Sequence, residues 1–337
     1  MTDDLATVGE RAALARILPR LAAAEALLGP GDDAALLAAP DGRVLLSTDA
    51  MVQGPDFRRA WSTPFELGWK AAATNLADIA AMGGRPTGLL VALAAPGGTP
   101  VTDLEGIADG LAACGARLAP GVGVVGGDLT RSPVLSLAIT VTGSLDGRDP
   151  VLRSGARPGD TVAYAGRLGL AAAALRLLFA IGEEDEAAVA SLRRAAPHLL
   201  AEQLAPSPPI GLGVVAAQAG ASAMLDVSDG LLLDASRIAA ASDVALDLDL
   251  GVLQDLADGV RSLGEPDGLP TAALPLGPGE ALALVLGGGE DHGLLGCFPG
   301  EPPEGFRAIG VVRMGPAAVL VGGEPVDPAG WDSFTAP

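Results

Sequence analysis

The sequence predicts an α/β fold in two domains. Three observations carry that prediction: a length of 337 residues, short apolar β-branched runs alternating with longer helical stretches, and one turn-rich segment near the middle of the chain. Hydrophobic residues make up 49% of the chain and charged residues 18%, which is enough apolar surface to offset the entropy of ordering a large core.

Taken in order, residues 43–48 (RVLLST) read as a strand and a helix follows over 64–82. Ser62 and Thr63 precede Pro64, giving a cap with proline in the first turn, and Gly83-Gly84 supplies the stop. Residues 89–95, 121–125 and 134–143 read as strands, with a helix near 103–119 between the first two. The stretch RSGARPGD at 153–160 is dense in Gly, Pro and charge, and it divides the chain into domains 1–150 and 151–337. The second domain opens with TVAYAG as a strand. An Ala/Leu-rich helix from Leu170, a helix after Pro209, the strand SAMLDV and a helix after Gly230 follow. The Gly/Pro-rich residues 265–279 read as a loop or lid.

Composition narrows the function. Lys and Arg number 21 against 41 Asp and Glu, a formal charge of -20 that repels nucleic acid and anionic membranes. A small phosphorylated substrate remains compatible with that charge if divalent cations lie between its phosphates and the carboxylates. Cys114, Cys297, His198 and His292 are the entire soft-ligand inventory, too sparse for a structural zinc site. The uncharged residues 203–225 are broken by Pro206, Pro208 and Pro209, so no membrane span is expected. The acidic start MTDDLATVGER lacks the order of a secretory signal, and the expected location is the cytoplasm.

The chemistry lies in aspartates delivered by strand ends and Gly-rich turns: GDDAAL (Asp32, Asp33), LLSTDA (Ser47, Thr48, Asp49), VVGGDL (Asp128) and LDVSDGL (Asp226, Ser228, Asp229). Asp78 lies three residues after Asn75 and nearly on the same helix face. Hard oxygen donors scattered as single aspartates suit magnesium held jointly by protein and phosphates, although spacing alone does not separate magnesium from manganese or calcium. A phosphate loop ending in Gly-Lys-Ser/Thr is absent, since Lys70 is the only lysine. The turns at Gly126-Gly127 and Ser228-Asp229-Gly230 are the candidate phosphate cradles. A phosphate acceptor, already ionised near neutral pH, needs no general base, and none is expected.

The ordered set GPGDDAALL, LSTDAMVQGPDF, GWKAAATNLADIAAMGG, VVGGDLTRSP, RSGARPGD, APSPPI, LDVSDGL, GGGEDHGLL and PAGWDSFTAP resembles the thiamine-monophosphate kinase family across essentially the whole chain. The resemblance implies an aminoimidazole-ribonucleotide synthetase-like fold that binds ATP between domains, with the N-terminal sheet joining a second copy in a barrel. It implies a homodimer that phosphorylates thiamine monophosphate with ATP by direct transfer. Several magnesium ions would be held by Asp33, Ser47, Thr48, Asp49, Asp78, Asp128, Asp226 and Asp229. ATP contacts map to Gly127, Asp128, Arg153 and Ser228, and substrate contacts to Asp56, Glu290 and Trp331. The family usually has His where Asp56 stands, Tyr-Glu where His292-Gly293 stand, and His-Leu-Arg-Pro where residues 203–206 read QLAP. Other ATP enzymes of the same fold group are the alternatives, but neither terminus carries the reactive cysteine expected of selenophosphate synthetase or the hydrogenase maturation protein. A non-catalytic acidic metal-binding module is a further alternative.

Overall fold

The computed structural model describes residues 3–21, 26–30, 34–183, 185–264, 276–328 and 330–331. The chain divides into two compact units, Met1–Ile79 with Gly84–Asp149, and Ala80–Gly83 with Pro150–Pro337. Among the described residues no helix is long and apolar enough to cross a membrane.

The first unit runs α1 (Leu5–Val8), α2 (Glu10–Ile17), β1 (Leu45–Val52), α3 (Pro64–Ala81), β2 (Arg85–Ala95), α4 (Val101–Leu118), β3 (Val124–Arg131) and β4 (Ser136–Ser144). Helix α3 starts where the sequence predicts. Thr63 Oγ1 accepts from the Glu66 N–H at 3.2 Å while the Glu66 carboxylate accepts from the Thr63 N–H at 2.8 Å, a capping box around Pro64. The four strands form a sheet in the order β1-β4-β2-β3, in which β2 and β3 are parallel and the other pairs antiparallel. Helix α4 supplies the crossover that a parallel pair requires.

Alternation gives this sheet two unlike faces. Leu89, Val91 and Leu93 of β2 and Leu137, Ile139 and Val141 of β4 are buried, whereas the intervening Leu90 is 38% exposed and Leu46 of β1 is 64% exposed. Three strands are longer than the sequence predicts, β2 because it starts at Arg85 rather than at residue 89. Strand β1 continues to Val52 and β3 to Arg131, so Ser47, Thr48, Asp49 and Asp128 lie within strands rather than at their ends. Strands β1 and β3 are edge strands, where polar side chains meet solvent while the backbone stays paired on one side.

The second unit runs β5 (Thr161–Ala165), α5 (Leu170–Ile181), α6 (Glu186–Ala195), α7 (Pro197–Leu204), α8 (Ile210–Gln218), β6 (Ala223–Val227), α9 (Leu231–Ser242), β7 (Ala245–Leu248), α10 (Leu250–Gly264), α11 (Pro278–Gly287), β8 (Gly293–Phe298), β9 (Arg307–Arg313), β10 (Ala318–Val321) and β11 (Glu324–Pro325). Its sheet has the order β11-β10-β7-β9-β5-β8-β6, with β7 and β10 parallel and the remaining pairs antiparallel. Every residue of β6 and β8 is buried, in keeping with sequences that are apolar apart from Asp226 and do not alternate; β8 is a strand that the sequence reading did not mark. Helix α11 begins at Pro278, inside the stretch expected to be loop; residues 265–275 of that stretch lie outside the described residues.

Candidate active site

In the first unit, β1 and α3 bring three of the sequence-predicted ligands together. Ser47 Oγ donates to Asp78 Oδ2 at 2.6 Å, and the Asp49 N–H donates to Asn75 Oδ1 at 3.2 Å. Asn75 is held in turn by its own amide, which donates to the Ala71 carbonyl at 2.9 Å. Asn75 and Asp78 are one helical turn apart, so one face of α3 faces Ser47 and Asp49, which share a strand face. Lys70 is buried in the same helix. The Thr48 side chain lies on the opposite face, donating to the Ile139 carbonyl at 2.9 Å and accepting from Thr140 at 3.1 Å.

Asp128 is on β3, at the far edge of the sheet from β1, which puts roughly 14 Å of strand spacing between them. It borders a cavity of about 450 Å³ that is lined by Ile17, Leu104, Leu111, Gly126 and Gly127 among others. The glycine at 127 has a packing reason, because a Cβ there would sit 2.0 Å from the Val91 carbonyl oxygen across the parallel ladder. Asp56 closes its own loop: its Oδ2 accepts from the Val52 N–H at 2.7 Å. Of the arginines beside it, Arg58 stacks over Trp61 at 4.5 Å and Arg59 pairs with Asp103. Asp33 lies outside the described residues.

In the second unit the turn after β6 is the hub. The Ser228 carbonyl accepts from the Glu290 N–H at 2.7 Å, and the Asp229 carbonyl accepts from the Trp331 N–H at 2.8 Å. All three implied residues, Ser228, Glu290 and Trp331, are therefore fixed to one short turn. Gly330 is required there, since a Cβ would lie 2.4 Å from the Asp229 carbonyl oxygen. Glu290 and His292 both take left-handed backbone conformations, φ 68 and 51, the kind of strain found where a turn must aim side chains. Behind the hub, His292 Nδ1 lies 3.5 Å from Asp226 Oδ2. Arg153 lies on the loop before β5, with its side chain exposed and its carbonyl accepting from Ser242 Oγ at 3.2 Å.

Sequence reasoning missed several groups around this hub. Asp234, 1% exposed, accepts the Asp229 N–H at 3.0 Å and pairs with Arg237, whose other nitrogen holds Asp229 Oδ2 at 2.7 Å. Burial pushes the Asp234 carboxyl up to about 6 against the pull of that N–H and of Arg237. Asp291 accepts backbone N–H groups from Gly169 at 2.7 Å and Ala171 at 3.4 Å, tying the start of α5 to the Glu290–His292 turn. Burial pushes its carboxyl up to about 7 in spite of those donors. Gln203, at the end of α7, donates to Glu290 Oε2. An acid five residues after Asp229 and an acid beside Glu290 were the visible signals; nothing in the sequence joins Gln203 to Glu290.

The donors in both units are hard oxygens, which suits magnesium. Among the described residues no three His, Cys, Asp or Glu side chains gather into a self-sufficient metal site. Magnesium tolerates that, because it commonly takes one or two carboxylates and completes its shell with phosphates and water.

Comparison with known proteins decides the family. A thiamine-monophosphate kinase from Mycobacterium tuberculosis is 46% identical over 99% of this chain and 94% of its own. The chain belongs to the thiamine-monophosphate kinase family. The family model for AIR synthase related protein, N-terminal domain, matches residues 31–145. A crystal structure of thiamine-monophosphate kinase from Stenotrophomonas maltophilia superposes with a TM-score of 0.72 at 32% identity, covering 93% of this chain and 95% of that one. AaThiL complexed with AMPPCP and TMP superposes with a TM-score of 0.68 at 29% identity, covering 86% of each chain. The AIR synthase-like fold expected from the motifs is the fold this member of the thiamine-monophosphate kinase family has.

Proposed function

We propose that this protein transfers the terminal phosphoryl group of ATP to thiamine monophosphate, giving thiamine diphosphate and ADP. The observation that carries the reading is the 46% identity to a thiamine-monophosphate kinase over 99% of the chain, and the AaThiL complex with AMPPCP and TMP supports the pair of substrates.

The residues fit a direct transfer. The acceptor is a phosphate monoester with a second pKa of about 6, so near neutral pH its oxygen is already a nucleophile and no side chain has to take a proton from it. The protein's task is then alignment and charge neutralisation. Helix α9 has no side-chain cap on its first turn, and the Ser228-Asp229-Gly230 turn presents that end to a phosphate. Gly127, Asp128, Arg153 and Ser228 are the proposed ATP contacts. Asp33, Ser47, Thr48, Asp49, Asp78, Asp128, Asp226 and Asp229 are the proposed magnesium-holding residues, Thr48 through its main-chain oxygen because its side chain lies on the other sheet face, and bound magnesium would neutralise the triphosphate and the charge developing between donor and acceptor. Glu290 and Trp331 offer a carboxylate and a flat aromatic, 46% exposed, to a cationic thiazolium. Asp56 remains a proposed substrate contact, with one oxygen engaged by its own loop.

We further propose a cytoplasmic homodimer joined through the open face of the first sheet, where Leu46 and Leu90 are exposed beside Thr48 and Ala50. Two free buried cysteines accord with a reducing compartment. Incubation of the purified protein with ATP, magnesium and thiamine monophosphate tests the reaction: thiamine diphosphate must form, and its absence with all three present refutes the assignment.

A further inference from the structure

We propose that Gln203 determines substrate specificity: its amide N–H holds Glu290 while its carbonyl oxygen accepts a hydrogen bond from the exocyclic amino group of the substrate's pyrimidine ring. The inference rests on the reading above that the substrate is thiamine monophosphate.

Gln203 is an isolated polar group, 4% exposed, on a helix whose Leu199, Leu200 and Leu204 are buried. Its Nε2 donates to Glu290 Oε2, and its Oε1 is buried with no hydrogen-bond partner among the described residues. The carboxylate fixes which way the amide faces, because the flipped amide would set carbonyl oxygen against carboxylate oxygen. Oε1 is therefore held as a buried acceptor with no protein partner among the described residues, an arrangement that native proteins keep for a reason. The missing partner must be a donor.

Glu290, in its left-handed turn on Ser228, ties that acceptor to the hub that holds Trp331. Thiamine monophosphate has few donors to bring there. Its thiazolium nitrogen is quaternary, its hydroxyethyl oxygen is esterified and its phosphate is ionised, which leaves the amino group of the pyrimidine as the N–H donor. A histidine at this position would be equivalent in one respect. An imidazole that donates to a carboxylate through one nitrogen presents the other as an acceptor, so histidine and Gln203 offer the same donor–acceptor pair.

The test compares thiamine monophosphate with its analogue bearing hydrogen in place of the amino group, using wild type, Gln203→Met and Gln203→His. Wild type should show a KM about 10- to 100-fold higher for the analogue, the range expected when a buried acceptor is left unpaired. Gln203→His should keep that discrimination. Gln203→Met should bring the two KM values within about threefold of each other by raising the KM for thiamine monophosphate. A Gln203→Met enzyme that discriminates as well as wild type overturns the proposal. Equal wild-type KM values for the two substrates overturn it without recourse to any variant. A wild-type protein that turns over neither substrate refutes the functional reading instead.

Discussion

Replacing Asp291 by Asn should make the stability of the protein less sensitive to pH, and the size of the effect follows from the position of that carboxyl. Burial, with the negative charge of Glu202 adding to it, lifts the group from 3.8 to about 7, although the Gly169 and Ala171 N–H groups and His292 favour its ionised form. Between those two values the folded state holds a proton that the unfolded state has released, so stability falls as pH rises and levels off above about 7. At about 1.4 kcal/mol per unit, the whole shift corresponds to about 4 kcal/mol. The residue keeps part of its surface in water, which screens the charge, so over pH 5 to 8 a loss of about 1–3 kcal/mol is the expectation. Asparagine can still accept the Gly169 N–H but does not titrate. Thermal melts of wild type and Asp291→Asn at pH 5, 6, 7 and 8 read the difference directly, at about 2–4 °C per kcal/mol for a unit of this size. Any pH-independent cost of the substitution cancels in the comparison, as do titrating groups that do not act on Asp291; His292 and Glu202 do act on it. The gap between the two melting temperatures should move in the variant's favour as pH rises. A gap that stays constant across the range would refute the reasoning.

Three further outcomes follow from the proposed activity. Asp49→Asn and Asp78→Asn should each lower kcat/KM at least about 100-fold at low magnesium, and kinetics over a magnesium series check this; wild-type activity at low magnesium would remove both residues from the metal set. Asp56→Ala should leave the KM for thiamine monophosphate unchanged or lowered while costing about 1 kcal/mol through the lost Val52 hydrogen bond, whereas Glu290→Ala and Trp331→Ala should raise that KM. Incubation with γ-labelled ATP alone should leave the protein unlabelled, because an ionised acceptor needs no covalent relay; a stable labelled protein would contradict direct transfer.

What the sequence made legible follows the range of the interactions involved. Helix α3 could be read because Thr63 and Pro64 mark its start and Gly83-Gly84 its stop, and β6 because it is apolar apart from Asp226, whereas β8 was not read although it is buried throughout. Strand lengths at the edges were not legible: GGDLTR is polar and glycine-rich, and only pairing with β2 makes it strand. The same limit applied to the site. Asp49 and Asp78 stood out as aspartates in apolar settings, but the bond from Ser47 to Asp78 joins residues 31 positions apart, and that from Gln203 to Glu290 joins residues 87 apart. Asp56 illustrates the converse, since its partner, Val52, is four residues away, and the loop-closing role was open to a local reading.

The buried position of Lys70 has a practical consequence. Every other basic side chain is an arginine or histidine, so an amine-selective reagent has only the chain's terminal amine and Lys70 to modify. Lys70 is 5% exposed, on the helix that presents Asn75 and Asp78 to β1. Its acylation should thus await a transient opening of that helix. The rate at which one lysine takes up label becomes a clock for the breathing of the first unit's site, read by mass spectrometry from the unaltered sequence, and ligands that hold the site closed should slow it.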